Sequence, residues 1–486
     1  MRNFIKALVF CTITSYAVDQ KPMVVIIPSY NNAAWCIKNI DSVLQQVYQN
    51  YRVIFIDDCS TDATFEMVKA RVQELGAQNR VTLIHNSFRR GALANIYSAV
   101  HTCQDQEIIA LVDGDDWLAH NTVLTTVNSA YVDPTIWLTY GQFKVHPDNR
   151  IGECKDIPRG ISQNNVYREY DWCSSHLRTF YAALFKQIKL QDLLYKGSFF
   201  EVTWDMAMLF PMLEMSGGRF ACIKDVLYIY NCGTESNDFK TKLLLQIHCN
   251  KLISSKKKYE PLKTKPVTRQ GKISLLMLMF SHDHPRELYA FLETYSKYAQ
   301  QVDALKVLYQ VSDETTKKMY DAVQEAFPAI ECVRCNPDTF KSSVNGCLAL
   351  DFDYVVLARD GMVIKEPINF DYCAHVLEKT GALGFYLSLG KNVTKHRNLV
   401  RNQQHPSLVW LERDVYVWQF ADGEYDWRIP YSCSMSVYRK AQIALLCADL
   451  QYHSWHELER MLVTARVDLH NVGLVYGESK VAQMAL

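Results

Sequence analysis

The chain has 486 residues, 52 lysines and arginines against 52 aspartates and glutamates, and 49% hydrophobic residues. That apolar fraction excludes disorder and fibrous repeats as the main theme, and zero formal charge excludes a broad electrostatic nucleic-acid binder, which carries a basic surplus. The length predicts about two to four domains, and no apolar run approaches the roughly 20 residues that span a bilayer.

Residues 1–20 read as a signal-like or anchor segment. Arg2 and Lys6 give a basic start, 7–17 is mostly apolar, and Ser15-Tyr16-Ala17 approximates a small-x-small cleavage site. The 15 cysteines are odd in number, scattered and mostly set in apolar segments, as at Cys103, Cys222 and Cys347. They are expected to be buried free thiols, which weighs against an oxidising destination. Cys332 and Cys335 form a CxxC, without the second pair or the histidines that a zinc site needs.

Residues 23–27 form a continuous β-branched run ending at Pro28-Ser29-Tyr30-Asn31, which predicts a buried parallel strand and a loop. Helical periodicity follows over 33–49. A second buried strand is expected at 51–56, ending in Asp57-Asp58-Cys59-Ser60-Thr61-Asp62. Ser60 or Thr61 is placed to cap the next helix, through Phe65, Val68 and Val72. Strands at 81–85 and 108–112 come next, the latter ending in Asp113-Gly114-Asp115-Asp116-Trp117. Strand–helix alternation with polar loops at strand carboxyl ends predicts an α/β open sheet, and ligands of such sheets bind beyond those ends. Crowded carboxylates after a buried strand repel one another unless a cation neutralises them, which points to Mg2+ or Mn2+ beside a diphosphate. Between the two acidic loops lies Asn86-Ser87-Phe88-Arg89-Arg90-Gly91, where Arg89 or Arg90 can face a phosphate.

The strings VVIIPSYN, VIFIDDCSTD, NSFRRGALAN and ALVDGDDWL, in that order over 23–118, resemble the nucleotide-sugar half of the inverting family 2 glycosyltransferases, which have a GT-A fold. The resemblance implies that Pro28 and Tyr30 line a nucleoside pocket and that Asp58 contacts the base. It implies that Arg90 lies near the donor diphosphate and that Asp113 and Asp115 are the DxD pair around a divalent metal, with Asp113 also on the donor. Related enzymes carry the base for the acceptor hydroxyl near a helix start, and Asp205 fits by position, although the usual Glu-Asp pair reads Trp204-Asp205 here. His176 and Arg178 are candidates for acceptor or diphosphate contacts. A strand at 228–231 closes the domain, and His248 lies beyond it as a further candidate ligand.

A polar, basic, Pro-containing stretch at 251–272 reads as a linker. Beyond it, strands are expected at 273–280, 305–309 and 354–357, each followed by a polar loop. Ser281 to Asp313 is 32 positions and Asp313 to Asp360 is 47, against 29 from Ser29 to Asp58 and 57 from Asp58 to Asp115. The expected architecture is therefore two GT-A-like open-sheet domains in tandem, at 21–250 and 272–486 with a linker at 251–271. Arg359-Asp360-Gly361 stands where an active copy places two acids, so the second domain is expected to be degenerate or acceptor-binding. The segment with Trp410, Trp418 and Trp427 suits either core packing or a sugar-stacking platform.

The expected function is metal-assisted, inverting transfer of a sugar from a nucleotide-diphosphate-sugar, a UDP-sugar first, to a glycan or lipid-linked acceptor. The cofactor is Mn2+ or Mg2+. The alternative is an inactive carbohydrate-binding or scaffolding protein on the same fold. No nucleic-acid partner is expected. Peripheral attachment at the cytoplasmic face of a membrane is favoured, with export left open by the N-terminus.

Overall fold

The computed structural model describes residues 19–233, 242–269, 271–396 and 402–484. The signal-like segment therefore lies outside the described residues apart from its last two. The chain forms two compact units, the first from the described residues up to 185 with 212–233 and 258–265, the second from 186–211, 242–257 and 266 onward.

The first unit is built on an eight-stranded sheet. Its strands are β1 (Met23–Ser29), β2 (Tyr51–Asp57), β3 (Val81–His85), β4 (Ile108–Leu111), β5 (Trp117–Leu118), β6 (Leu138–His146), β7 (Arg178–Tyr181) and β8 (Phe220–Asn231). The order is β3-β2-β1-β4-β7-β6-β8-β5. β1 to β4 are mutually parallel, with Met23 opposite Tyr51 and Ile108; β7 is antiparallel to both β4 and β6, and β8 runs parallel to β6. β1 is buried at all seven positions, as an apolar strand covered on both faces must be. Helices Cys36–Leu44, Thr64–Glu74 and Ala92–Thr102 connect β1 to β4.

The first of these helices is shorter than its periodicity suggests, because residues 31–33 bond to the next loop instead. Asn31 N–H donates to Ser60 Oγ at 2.9 Å, Asn32 N–H to Thr64 Oγ1 at 2.8 Å and Ala33 N–H to Asp62 Oδ2 at 3.0 Å. The same bonds correct the expected cap of the second helix. Ser60 Oγ is used by Asn31, Ala63 holds the cap position with no side-chain bond, and Asp62 Oδ1 accepts the Thr64 N–H. β6 and β7 were not anticipated. Both sit among polar and aromatic residues that carry no clean alternation.

The second unit carries a nine-stranded sheet: β9 (Leu275–His282), β10 (Ala304–Gln310), β11 (Glu331–Arg334), β12 (Tyr354–Arg359), β13 (Gly384–Tyr386), β14 (Val409–Glu412), β15 (Val415–Gln419), β16 (Ser436–Arg439) and β17 (Val472–Tyr476). Its order is β11-β10-β9-β12-β16-β13-β17-β15-β14. Four parallel strands again run third, second, first, fourth; an antiparallel strand follows, then one antiparallel to that, then one parallel to its neighbour. Trp418 and Trp427 are fully buried in this unit's core and meet edge to face at 5.1 Å, so the aromatic segment packs the interior at those two positions. Among the described residues every cysteine is a free thiol, and no helix is long and apolar enough to cross a membrane.

The expected linker is structured over much of its length. Helix Leu243–Ser255 enters it, with Cys249 and Ile253 buried. Residues 258–265 pack on the first unit, where Leu262 N–H donates to Met215 O at 2.8 Å and the Lys265 ammonium lies 3.7 Å from the Tyr181 ring centre.

Asp353 pins the start of the second sheet. It takes a bidentate pair from Arg269 at 2.7 and 2.8 Å and accepts Ser274 N–H and Oγ–H, both at 2.9 Å. The Arg269 guanidinium, with Ser274, pulls its pKa down to about 2. A carboxylate depressed on folding contributes stability above its unfolded pKa and loses it as the pH falls through the folded value. Asp353→Asn is expected to destabilise the second unit by about 1 kcal/mol at neutral pH, discounted for partial exposure. In urea titrations the deficit should shrink below pH about 4 and vanish near pH 2.

Candidate functional site

Three loops meet at the carboxyl edge of β1, β2 and β4. Ser29 O accepts the Asp58 N–H at 2.8 Å, and Pro28 O accepts the Gly114 N–H at 3.1 Å, so the backbone following β1 is tied to both acidic loops. Pro28 is buried and Tyr30 half-buried. The Arg89 guanidinium lies 4.0 Å from the Tyr30 ring centre.

The two acids at the end of β2 both hold backbone. Asp57 is fully buried; its Oδ2 accepts Ser60 N–H at 3.0 Å and faces His85 Nδ1 at 2.9 Å. Asp58 clasps the arginine loop. Oδ1 accepts Asn86 Nδ2–H at 2.8 Å and Arg90 N–H at 2.9 Å, and Oδ2 accepts Gly91 N–H at 2.8 Å. These charge-assisted bonds fix where Arg89 and Arg90 stand. Arg90 donates to Ser98 Oγ at 2.9 Å, and burial draws its pKa down.

The turn after β4 is held from two sides. Asn39 Nδ2 donates to Asp113 O at 2.9 Å and Asp116 O at 2.8 Å. From β8, Tyr228 OH donates to Asp116 Oδ2 at 2.7 Å and accepts Asp113 N–H at 3.0 Å. Asn231 N–H donates to Asp116 Oδ1 at 2.7 Å and its Nδ2 to Asp115 O at 3.1 Å. Gly114 is required by space: a Cβ there would lie 2.6 Å from Ser29 Cβ and 2.5 Å from its Oγ. The opposing strands thus dictate the turn's shape and leave its acids crowded.

His176 completes the cluster. One oxygen each of Asp113 and Asp116 and one ring nitrogen of His176 all lie within 4.8 Å of one another. The imidazole stacks on Tyr228 at 4.5 Å and Tyr230 at 5.5 Å, with Arg178 Nη atoms 3.4 and 3.5 Å from its ring nitrogens. Burial, then the Arg178 charge, holds His176 well below its ordinary range, so the ring is the neutral form that binds metals. Burial, then the charges of Asp115 and Asp113, pushes Asp116 well above the carboxylate range. A buried carboxylate so raised is one that a cation would relieve. Two carboxylates and a neutral imidazole are an oxygen–nitrogen donor set that could hold a divalent ion with positions left for another ligand. Asp113, Asp116 and His176 are the residues that could hold the ion.

The pattern DGDD made Asp113 and Asp115 the expected pair; the structure brings Asp113 together with Asp116 and His176, and ties Asp115 by its carbonyl. The third acid is visible in the string, but its carboxylate is held by Tyr228 and Asn231, more than a hundred positions away. His248 stands beside Tyr195 in the second unit, at 5.6 Å between rings. Asp205 opens helix Trp204–Ser216, where its Oδ1 accepts the Met206 N–H at 2.9 Å; this end of the helix belongs to the second unit.

The profile of glycosyl transferase family 2 matches residues 24–193, which include all four loops. Residues 24–193 are a family 2 glycosyltransferase domain. The glycosyltransferase GlyG of Streptococcus pneumoniae is 31% identical over 101 residues, 21% of this chain and 32% of that protein. The UDP-Glc:alpha-D-GlcNAc-diphosphoundecaprenol beta-1,3-glucosyltransferase WfgD of Escherichia coli is 28% identical over 152 residues, 31% of this chain and 57% of its own. The chain thus spans less than two thirds of the length of each of these relatives. Among solved structures, a mannosyltransferase from Pyrobaculum calidifontis in complex with GDP-Man and Mn2+ aligns at 19% identity and a TM-score of 0.35, over 50% of this chain and 66% of that one.

Proposed function

We propose that the chain transfers a sugar from a nucleotide-diphosphate-sugar to a hydroxyl of a glycan or lipid-linked acceptor, with inversion and with a divalent ion. The observation that carries this reading is the convergence of Asp113, Asp116 and His176 at the carboxyl edge of the sheet, inside a family 2 domain. A bound divalent ion neutralises the charge of a departing nucleotide diphosphate. Asp113 and Asp116, with His176, hold that ion; Asp115 adds its charge to the same turn as the second acid of the DxD pair. Tyr228, Asn231 and Asn39 keep the turn in place before the donor arrives, which is electrostatic preorganisation. Tyr30 and Pro28 offer a surface for the nucleoside, and Asp58 sets the loop from which Arg89 and Arg90 meet the diphosphate, with the base contact as its further role. Asp205 takes the proton of the acceptor hydroxyl.

One relative is named for UDP-glucose and a diphosphoundecaprenol-linked sugar, which favours a UDP-sugar and a lipid-linked acceptor here. Work at the cytoplasmic face of a membrane belongs to that reading. The repeated strand order favours a second GT-A-like domain at 272–486. There Arg359 Nη1 donates to Asp360 O at 3.1 Å and Asp360 Oδ2 accepts His282 N–H at 2.9 Å, where the first unit crowds its acids. A fixed cation in that place supports a degenerate or acceptor-binding role.

The test is to incubate the full chain with UDP-glucose, UDP-GlcNAc and GDP-mannose in turn, with Mn2+ and a diphosphoundecaprenol-linked sugar, and to measure free nucleotide diphosphate. Release is expected with a UDP-sugar, and to stop when EDTA removes the ion. Metal-independent release would remove the ion from the reading, and no release from any donor would overturn the reading itself.

A further inference from the structure

Helix Leu243–Ser255 of the second unit is apolar on two opposite sides. At the helical repeat, Cys249 and Ile253 share one face, while Leu244, Ile247, His248 and Lys251 share the other. Cys249 and Ile253 are each 1% exposed and pack against the protein. On the opposite face Leu244 is 84% exposed, with Leu243 at 48% and Ile247 at 46% beside it. Leu244 is the most exposed large hydrophobic residue among the described residues. A helix that is apolar all round is normally covered all round, and this one is covered on one side only. Single exposed leucines are common on proteins, whereas three on neighbouring turns of one face make a patch that marks an interaction surface.

The rim of the patch is basic. His248 and Lys251 continue the same face and are exposed, and exposed Lys257 follows the helix end. Lys251 and Lys257 pair with no acid among the described residues. The neighbouring acids are already matched, Glu201 with Lys242, and Asp192 with Lys256 at 3.7 Å. Half-buried Tyr195 lies 5.6 Å from the His248 ring, and the ammonium of exposed Lys196 stands 5.3 Å from the Tyr195 ring centre. Apolar side chains ringed by lysines, with a tyrosine at the margin, match the layering of a bilayer surface with anionic headgroups. A second copy of this chain fits less well, because a twofold contact through this face sets the same lysines against each other. The helix has 13 residues, about 20 Å at the usual rise, and the hydrocarbon core is about 30 Å thick, so it lies along a bilayer surface and does not cross it.

We infer that the exposed face of helix Leu243–Ser255 docks the chain on an anionic bilayer. Leu243, Leu244 and Ile247 enter the boundary between headgroups and acyl chains, and Lys196, Lys251 and Lys257 meet the lipid phosphates. Docking of this kind belongs with the lipid-linked acceptor proposed above, but its measurement needs neither donor nor acceptor.

The experiment mixes the full chain with vesicles of phosphatidylcholine alone, or of phosphatidylcholine and phosphatidylglycerol in equal parts, and reads the bound fraction by co-sedimentation. The parent chain is expected to prefer the anionic vesicles and to leave them as salt is raised. Leu244→Ser with Ile247→Ser is expected to weaken that binding about tenfold. Lys251→Gln with Lys257→Gln is expected to weaken it by about as much and to flatten its salt dependence. All four positions are exposed, so both double variants should unfold at the parent temperature. A parent chain with no preference for anionic vesicles overturns the docking surface. Parent-like binding by both double variants overturns it too, and assigns the attachment to another part of the chain such as residues 1–20. A dimer in sedimentation velocity that Leu244→Ser with Ile247→Ser abolishes, without vesicle binding, overturns it in favour of a second copy. Absence of nucleotide-diphosphate release bears on the transferase reading alone and leaves the vesicle result standing.

Discussion

Asp113→Asn is expected to lower nucleotide-diphosphate release by about a thousandfold, the largest functional effect of any single change in the first unit. The substitution keeps the shape of the side chain and one oxygen but removes a full negative charge from the cluster with Asp116 and His176. Metal stabilisation of a departing oxyanion is worth several kcal/mol, and about 4 kcal/mol corresponds to three factors of ten in rate. The turn itself should survive. Its backbone is held through Asp113 O by Asn39 and through Asp113 N–H by Tyr228, and the Asp113 side chain is only half-buried. Thermal unfolding close to that of the parent chain, a higher Mn2+ concentration for half-maximal rate, and a collapsed rate at saturating Mn2+ are the expected combination. Turnover at the parent rate in this variant would remove Asp113 from the chemistry.

What the sequence makes legible is what short strings encode. β1, β2 and β4 announce themselves as apolar, largely β-branched runs and are buried on both faces, so composition and position agree, whereas β3 at the sheet edge is mostly exposed. The acidic loops follow them directly, which is why Asp57, Asp58, Asp113 and Asp115 were in view. The partners of those acids are remote. Asp58 binds a loop about thirty positions on, and the Asp116 carboxylate is held by Tyr228 and Asn231, whose own string reads only as a strand. β6 and β7 were invisible for a related reason. Thr139 and Thr179 bond to each other at 2.6 Å inside the sheet, an internal polar pair that breaks the apolar pattern a strand is recognised by. His176 reads from the sequence as a possible contact, yet its place as a neutral ring beside two carboxylates depends on burial, which no neighbouring residue encodes.

A pair that sequence reading passes over altogether gives the largest expected effect on stability. Helix Trp204–Ser216 is apolar over most of its length, and Glu214 is an acid near its end with no base three or four positions away. In the fold, Arg168 reaches it from 46 positions away: Nε donates to Oε1 at 2.5 Å and an Nη to Oε2 at 2.8 Å. The two side chains are 2% and 0% exposed. Glu214 Oε2 also accepts the Tyr259 N–H at 3.0 Å, which fastens residues 258–265 to the first unit. Removing one member of such a pair leaves the other charge buried without its counterion, at a cost of about 3–5 kcal/mol, whereas replacing both by apolar groups of similar volume is often close to neutral. Glu214→Gln is therefore expected to destabilise the first unit by about 3 kcal/mol or more, seen as an early unfolding transition in urea. The double change Arg168→Met with Glu214→Leu is expected to recover most of that loss, short of the Tyr259 bond, which a leucine cannot accept. This pattern separates a buried charge pair from a plain packing contact. If the two single changes were each mild and their effects simply added, the pair would carry no coupling, and the attachment of 258–265 would have to rest on its other bonds, among them Asn165 Nδ2 to Tyr259 O and Lys258 to Glu169.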